Sequence, residues 1–259
     1  MGLLDGRRGL VFGVANERSI AWAIAKCLTD NGAVCGHAHL PGEKMERRVR
    51  KALEAGGMAD AWLCPCDASK DEDLDAVFDA ARKQFDSLHF VIHSIAFADR
   101  QYLQIGNFAE TPRAVFNQAL DISAYTLAAM ARRAKPLMTS GGSIVAMTYY
   151  GSEKVIPGYN VMGVAKAALE CTARYLAAEL GASGIRVNTI SAGPLRTLSS
   201  MAVGGIDDMF GWVEKKAPLR RNIEAEEVGK TALYLVSDLA SGVTGENIYV
   251  DAGYNIVGL

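Results

Sequence analysis

Residues 9–38, GLVFGVANERSIAWAIAKCLTDNGAVCGHA, hold the pattern that decides the fold. The run 9–15 is short and apolar, as expected of a strand buried on both faces; an amphipathic stretch fills 19–31, and a second apolar run follows at 33–38. Gly32 stands just past the helical stretch, where a chain leaving a helix often turns left-handed. Strand, helix, strand in so short a span is the unit of a parallel sheet, because parallel neighbours need a crossover rather than a tight turn.

The alternation continues outward. Apolar runs recur at 61–66, 88–95, 142–147, 185–191 and 247–250, and helical periodicity covers 44–55, 70–85, 111–138, 159–182 and 226–235. Gly56 and Gly184 suit left-handed exits from two of these helices, and Pro112 suits a first turn behind Thr111 as N-cap. No linker rich in Pro, Gly or Ser divides the chain. The expectation is a single α/β domain over 1–259, a Rossmann-like doubly wound parallel sheet of about seven strands with helices on both faces. The segment 197–216 has three glycines and weak periodicity, and reads as a long functional loop or short helix over the site.

Composition narrows the function. The chain has 259 residues, 50% hydrophobic and 22% charged, with a formal net charge of −2 and basic residues mixed among acids, so nothing broad attracts nucleic acid or an anionic membrane. A small-molecule partner is expected. The apolar start is broken at Asn16 and Glu17 and no run reaches a membrane span, which predicts a cytoplasmic protein. Five scattered cysteines in apolar settings read as reduced thiols. Cys35, His37 and His39 share a strand face, as do Cys64 and Cys66, but neither set has a zinc-finger spacing and both read as strand packing, with no metal expected. The basic run Arg47, Arg48, Arg50 and Lys51 reads as the solvated face of the second helix.

Ligands of doubly wound sheets bind outside the carboxyl ends of the strands. Gly13 ends the first strand and Ser19 opens the first helix, where a pyrophosphate would meet free N–H groups; the full G-x-G-x-x-G pattern is missing, and an ordinary connection with Ser19 as N-cap stays open. Asp67, closing the third strand, is placed to accept from an adenine amino group, and 94–96 end the fourth strand at the same edge; an acidic loop start and a small-residue turn are the alternatives. Tyr149, Tyr159 and Lys166 stand ten and then seven residues apart after the fifth strand. Seven residues is about two helical turns, so Tyr159 and Lys166 share a face and can flank one ligand, with Tyr149 adding a hydroxyl from the loop.

Together these segments resemble the short-chain dehydrogenase/reductase superfamily, and more closely its enoyl-acyl-carrier-protein reductase branch. The motifs are GVANERSIAWAIA at 13–25, CDAS at 66–69, HSIAFA at 93–98, TYYG at 148–151, YNVMGVAK at 159–166, RVNTISAGPLRTL at 186–198 and VTGENIYVDAGY at 243–254. Most of the superfamily places its tyrosine four residues before the lysine and a serine about thirteen before the tyrosine. Here those positions hold Met162 and Ala146, which sets aside the common carbonyl-reducing arrangement. A carbonyl reductase and a silent dinucleotide-binding regulator remain the competing readings.

The resemblance implies reduction of a trans-2-enoyl chain on acyl carrier protein with NADH, by a homotetramer in bacterial fatty-acid elongation. Tyr159 and Lys166, with Tyr149 in a less settled role, are the implied catalytic residues. Gly13, Ser19, Ile20, Asp67, Ala68, Ser94, Ile95, Ala96, Lys166, Ala192, Gly193, Pro194, Leu195 and Thr197 are the implied cofactor residues, and Ala98, Tyr149, Tyr159 and Met162 the implied substrate residues. Two positions depart from the pattern: Leu40 replaces a glutamine near the adenosine ribose, and Ala96 replaces a frequent glycine beside the nicotinamide. NADH is favoured over NADPH because Glu43 precedes the first basic residue, Lys44, after the second strand. Met201, Val203, Ile206, Met209, Phe210 and Trp212 are candidates to line an acyl channel, with packing of a helix pair as the alternative.

Overall fold

The computed structural model describes residues 2–198 and 200–258, and of Ala202 the backbone only. Met1 and Leu259 of the expected 1–259 domain, and Ser199 of the 197–216 segment, lie outside the described residues. The strands are β1 (Arg8–Phe12), β2 (Val34–His39), β3 (Leu63–Pro65), β4 (Phe90–His93), β5 (Gly142–Thr148), β6 (Ile185–Ala192) and β7 (Asn247–Val250). They form one parallel sheet in the order β3-β2-β1-β4-β5-β6-β7. The chain winds from β1 out to β3, then returns past β1 to start the other half at β4. That reversal opens a crevice at the carboxyl ends of β1 and β4.

The helices are α1 (Ile20–Asp30), α2 (Glu43–Ala55), α3 (Asp71–Phe85), α4 (Arg113–Leu120), α5 (Thr126–Ala134), α6 (Asn160–Leu180), α7 (Ile206–Lys216) and α8 (Ala225–Val236). Alternate strand residues feed opposite cores. Val11, Ile92, Val145 and Ile190 pack with Ile24 and Leu28 of α1, Leu53 of α2 and Leu235 of α8. Leu10, Val91, Ile144 and Val187 pack on the other face with Phe78 of α3, Met130 of α5 and Leu169 of α6. Both faces being covered explains why the strands read as unbroken apolar runs; each such side chain contributes about 1.5–3 kcal/mol on burial. The same alternation separates the two cysteine and histidine sets. Cys35 belongs to the first core and Cys66 to the second, on opposite sides of the sheet.

Several expected boundaries move. Gly56 takes φ −93°, and Gly57 supplies the left-handed turn at φ +77°. Pro112 is itself the N-cap of α4, while the Thr111 hydroxyl donates backward to the Phe108 carbonyl at 2.7 Å. The helix expected over 111–138 is interrupted by a wide π turn at Asp121–Tyr125, and 197–216 contains a true helix, α7. No helix among the described residues is long and apolar enough to cross a membrane.

Candidate active site

The crevice is closed at its base by main chain. Gly13 follows β1 at φ +110°, and a Cβ there would stand 2.1 Å from the Ser94 carbonyl oxygen, so only glycine lets the exits of β1 and β4 approach this closely. The Ser19 hydroxyl does not cap α1. It accepts from the N–H groups of Ala15 (3.2 Å) and Asn16 (3.3 Å) and donates to the Asn16 carbonyl, which folds the loop back on itself. The first backbone bonds of α1 run from Trp22 and Ala23 to the Ser19 carbonyl, so the N–H groups of Ile20 and Ala21 lead the helix at its positive end. A cradle that a Cβ would fill, beside a helix start, fits a pyrophosphate.

Around this base the other expected cofactor residues gather at the same edge. Ser94, Ile95 and the exposed Ala96 leave β4, and the loop is fixed one residue on: the Phe97 N–H donates to Ser123 Oγ at 3.0 Å, and that hydroxyl donates to the Phe97 carbonyl at 3.2 Å. Ser123 is fully buried in the π turn and was not anticipated from the sequence; a serine inside a long apolar helical stretch was its only signal. Asp67 Oδ1 accepts from the N–H (3.1 Å) and hydroxyl (2.7 Å) of Ser69, and that hydroxyl is the first cause holding its carboxyl below the ordinary range. Ala68 is half-buried next to it. At the end of β6 and just beyond it, Ala192, Gly193 and Pro194 are buried, with the Gly193 N–H donating to the Val250 carbonyl (2.8 Å). Leu195 and Thr197 continue that segment to an interlocked turn, in which the Thr197 N–H donates to Ser200 Oγ at 2.9 Å and the Ser200 N–H to Thr197 Oγ1 at 3.1 Å.

Tyr159 is the N-cap of α6 and Lys166 lies on its second turn. The helix sits tight against the turn after β5: a Cβ on Gly163 would stand 2.6 Å from the Gly151 carbonyl oxygen. Asn160, forced to φ +44°, holds that helix start by donating to the carbonyls of Tyr102 (2.8 Å) and Gln104 (2.7 Å). The rings of Tyr149 and Tyr159 meet edge to face at 4.9 Å, worth about 0.5–1.5 kcal/mol beyond burial. Tyr149 does not aim its hydroxyl at the lysine; it donates to Met209 Sδ of α7 at 2.8 Å. Met162, Leu103, Ala119, Val161 and Ala165 form a small apolar cluster against which Ala98 and Tyr159 pack, so the expected substrate residues do converge.

Electrostatics set the protonation states. Burial raises both phenols above their ordinary range, Tyr149 further by Tyr159 and Tyr159 further by Glu170, so both hydroxyls keep their protons near neutrality. Lys166, 6% exposed, donates to the Met147 carbonyl at 2.7 Å and is pushed down to about 8 by burial, against the charge of Glu170. His93, beneath it on β4, is pushed down to about 3 by burial and then by Lys166. Its Nε2 lies 2.7 Å from Thr126 Oγ1, whose proton goes to the Ile122 carbonyl; the neutral ring therefore donates from Nε2.

A doubly wound parallel sheet with a glycine-floored crevice, and a phenol and an ammonium on the helix after the fifth strand, define the short-chain dehydrogenase/reductase class. Within it, the chain belongs to the enoyl-acyl-carrier-protein reductase family: the family model described as enoyl-(acyl carrier protein) reductase matches residues 13–255. The chain is 52% identical over 258 residues to an NADH enoyl-acyl-carrier-protein reductase, FabI, of Synechocystis sp., covering 99% of each. The crystal structure of the Bacillus cereus enoyl-acyl carrier protein reductase with NADP+ and indole naphthyridinone superposes with a TM-score of 0.96 at 50% identity, covering 100% of both chains. That of an NADH enzyme from Aquifex aeolicus gives 0.94 at 43% identity, again covering 100% of both.

Proposed function

We propose that this protein reduces the trans-2 double bond of enoyl thioesters borne on acyl carrier protein, with NADH, as the last step of the bacterial type II fatty-acid elongation cycle. The observation that carries the reading is the pairing of a protonated Tyr159 phenol with a buried Lys166 on α6, together with Met162 and Ala146 where a carbonyl reductase would carry tyrosine and serine.

NADH supplies the hydride. Tyr159 donates its hydroxyl to the thioester carbonyl oxygen, where negative charge develops as the β-carbon is reduced; a proton at the α-carbon completes the saturated chain. Among the described residues Lys166 has one acceptor, so its remaining N–H groups are available to the ribose hydroxyls, and its charge favours the nearby oxygen. Gly13, Ser19 and Ile20 shape the pyrophosphate floor, Asp67 and Ala68 the adenine side, Ser94, Ile95 and Ala96 the nicotinamide side, and Ala192, Gly193, Pro194, Leu195 and Thr197 the carboxamide side. Ala98, Tyr149, Tyr159 and Met162 face the acyl chain.

NADH is preferred because exposed Leu40 and Glu43 stand after β2 where a 2′-phosphate would need a cation. The chain acts as one catalytic domain, with 197–216 as its substrate loop, in the cytoplasm. Exposed Tyr125, Val164 and Tyr175 along the α4–α6 layer support a homotetramer built on that face. The test is to mix protein, NADH and a trans-2-enoyl thioester and follow absorbance of the reduced cofactor. Oxidation with the enoyl but not the β-ketoacyl thioester is expected; the reverse pattern would sink the assignment.

A further inference from the structure

Glu170 stands one helical turn beyond Lys166 on α6 and is equally buried, each 6% exposed. Two opposite charges inside a protein are costly unless both are held by hydrogen bonds. Here consecutive residues at the end of β5 hold them. Lys166 Nζ donates to the Met147 carbonyl at 2.7 Å, and Thr148 Oγ1 donates to Glu170 Oε1 at 2.5 Å. The register carries a polar row away from this point, from Thr148 to Ser191 to Tyr249, and the Ser191 hydroxyl is buried without a partner among the described residues. A carboxylate buried one helical turn from Lys166 has no apolar role.

We propose that Glu170 is a positioning residue, whose carboxylate keeps the Lys166 ammonium charged and aimed out of the core at the cofactor. The inference rests on the reading of Lys166 as the residue that holds the cofactor ribose. Burial by itself drives Lys166 toward the neutral amine, and Glu170 is the anion that opposes it. The other groups facing the pair do not replace that charge. His93 on β4 is neutral, Tyr159 at the head of α6 keeps its proton, and on the β7 side Tyr249 donates its hydroxyl to Glu153. A neutral amine in this place would lose a donor and its charge together.

NADH binding to the protein alone, followed by cofactor fluorescence across pH, tests this without turnover. Removing an anion lowers the pKa of an ammonium, so the charged form disappears at lower pH. Wild-type affinity should hold below the Lys166 value of about 8 and weaken above it. In Glu170→Gln the weakening should begin about one pH unit lower, giving roughly fivefold poorer binding near the wild-type midpoint and matched affinity at about pH 6. Glu170→Asp, which retains the charge, should recover most of the difference. It also carries the test if the glutamine variant does not fold, through a smaller shift in the same direction.

A loss of affinity equal at every pH would indicate packing damage and overturn the proposal. So would a wild-type limb that the folded variants leave in place, and that result would overturn this inference alone. Absence of any limb in the wild type would overturn the reading of Lys166, and this inference with it.

Discussion

The two walls of the crevice are built differently. On the α6 side, Val161, Met162, Ala165, Lys166, Leu169 and Glu170 are all buried, and the helix is pinned by Asn160 and by the close approach of Gly163 to Gly151. On the α7 side only Phe210 and Val213 are buried. That helix is tied down by an Arg196–Asp207 ion pair of 2.9 Å with both side chains exposed, by Arg196 lying 4.4 Å over the Phe210 ring, and by the Tyr149 hydroxyl on Met209. Exposed pairs are worth about 0–1 kcal/mol and an exposed cation on a ring about 0.5–1 kcal/mol. One wall is therefore part of the core, and the other is held to it by fewer buried side chains. Groups that need fixed geometry sit on the first; groups that must admit and release a long chain sit on the second.

Substitutions should divide along the same line. The largest loss is expected from Lys166→Ala, which removes a charge and a donor from the buried wall: kcat/KM should fall about a thousandfold with weakened NADH binding, as measured by steady-state kinetics and fluorescence titration. Tyr159→Phe should come next, lowering kcat about a hundredfold with NADH affinity unchanged, since only the hydrogen bond to the developing charge is lost. Wild-type rates in both variants would break the assigned site. On the other wall, Met209→Ala removes partly buried apolar surface, and KM for a long enoyl thioester should rise about three- to tenfold with kcat nearly constant. A hundredfold fall in kcat would place α7 in the chemistry and erase the contrast. Arg196→Ala should matter least, less than about fivefold in any kinetic constant, while speeding proteolytic cleavage within 197–216.

The sheet was legible because parallel strands covered on both faces must be apolar throughout, and 142–147 and 247–250 lie within a residue of the observed β5 and β7. The interruption at Asp121–Tyr125 was not, because one wide turn leaves the apolar period intact on either side of it; what it achieves, the delivery of the Ser123 hydroxyl to Phe97, is a contact between residues 26 apart. Adjacent Gly56 and Gly57 are equally able to turn left-handed, and local sequence does not choose between them. The spacing of Tyr159 and Lys166 announced a shared helix. The direction of the Tyr149 hydroxyl did not follow from it, since α7, which receives that hydroxyl, shows weak periodicity. Glu170 was visible four residues after Lys166, but only the packing of α6 on β5 reveals that it is buried.

The close approach at Gly13 also limits how the crevice can vary. An inhibitor that leaned on the backbone there would rest on a surface the protein has no means of altering, since any side chain at that position collides with Ser94. Ala96, a few residues along the same rim, is exposed and has room to change. The floor of the crevice is thus sterically fixed, and its lip is not.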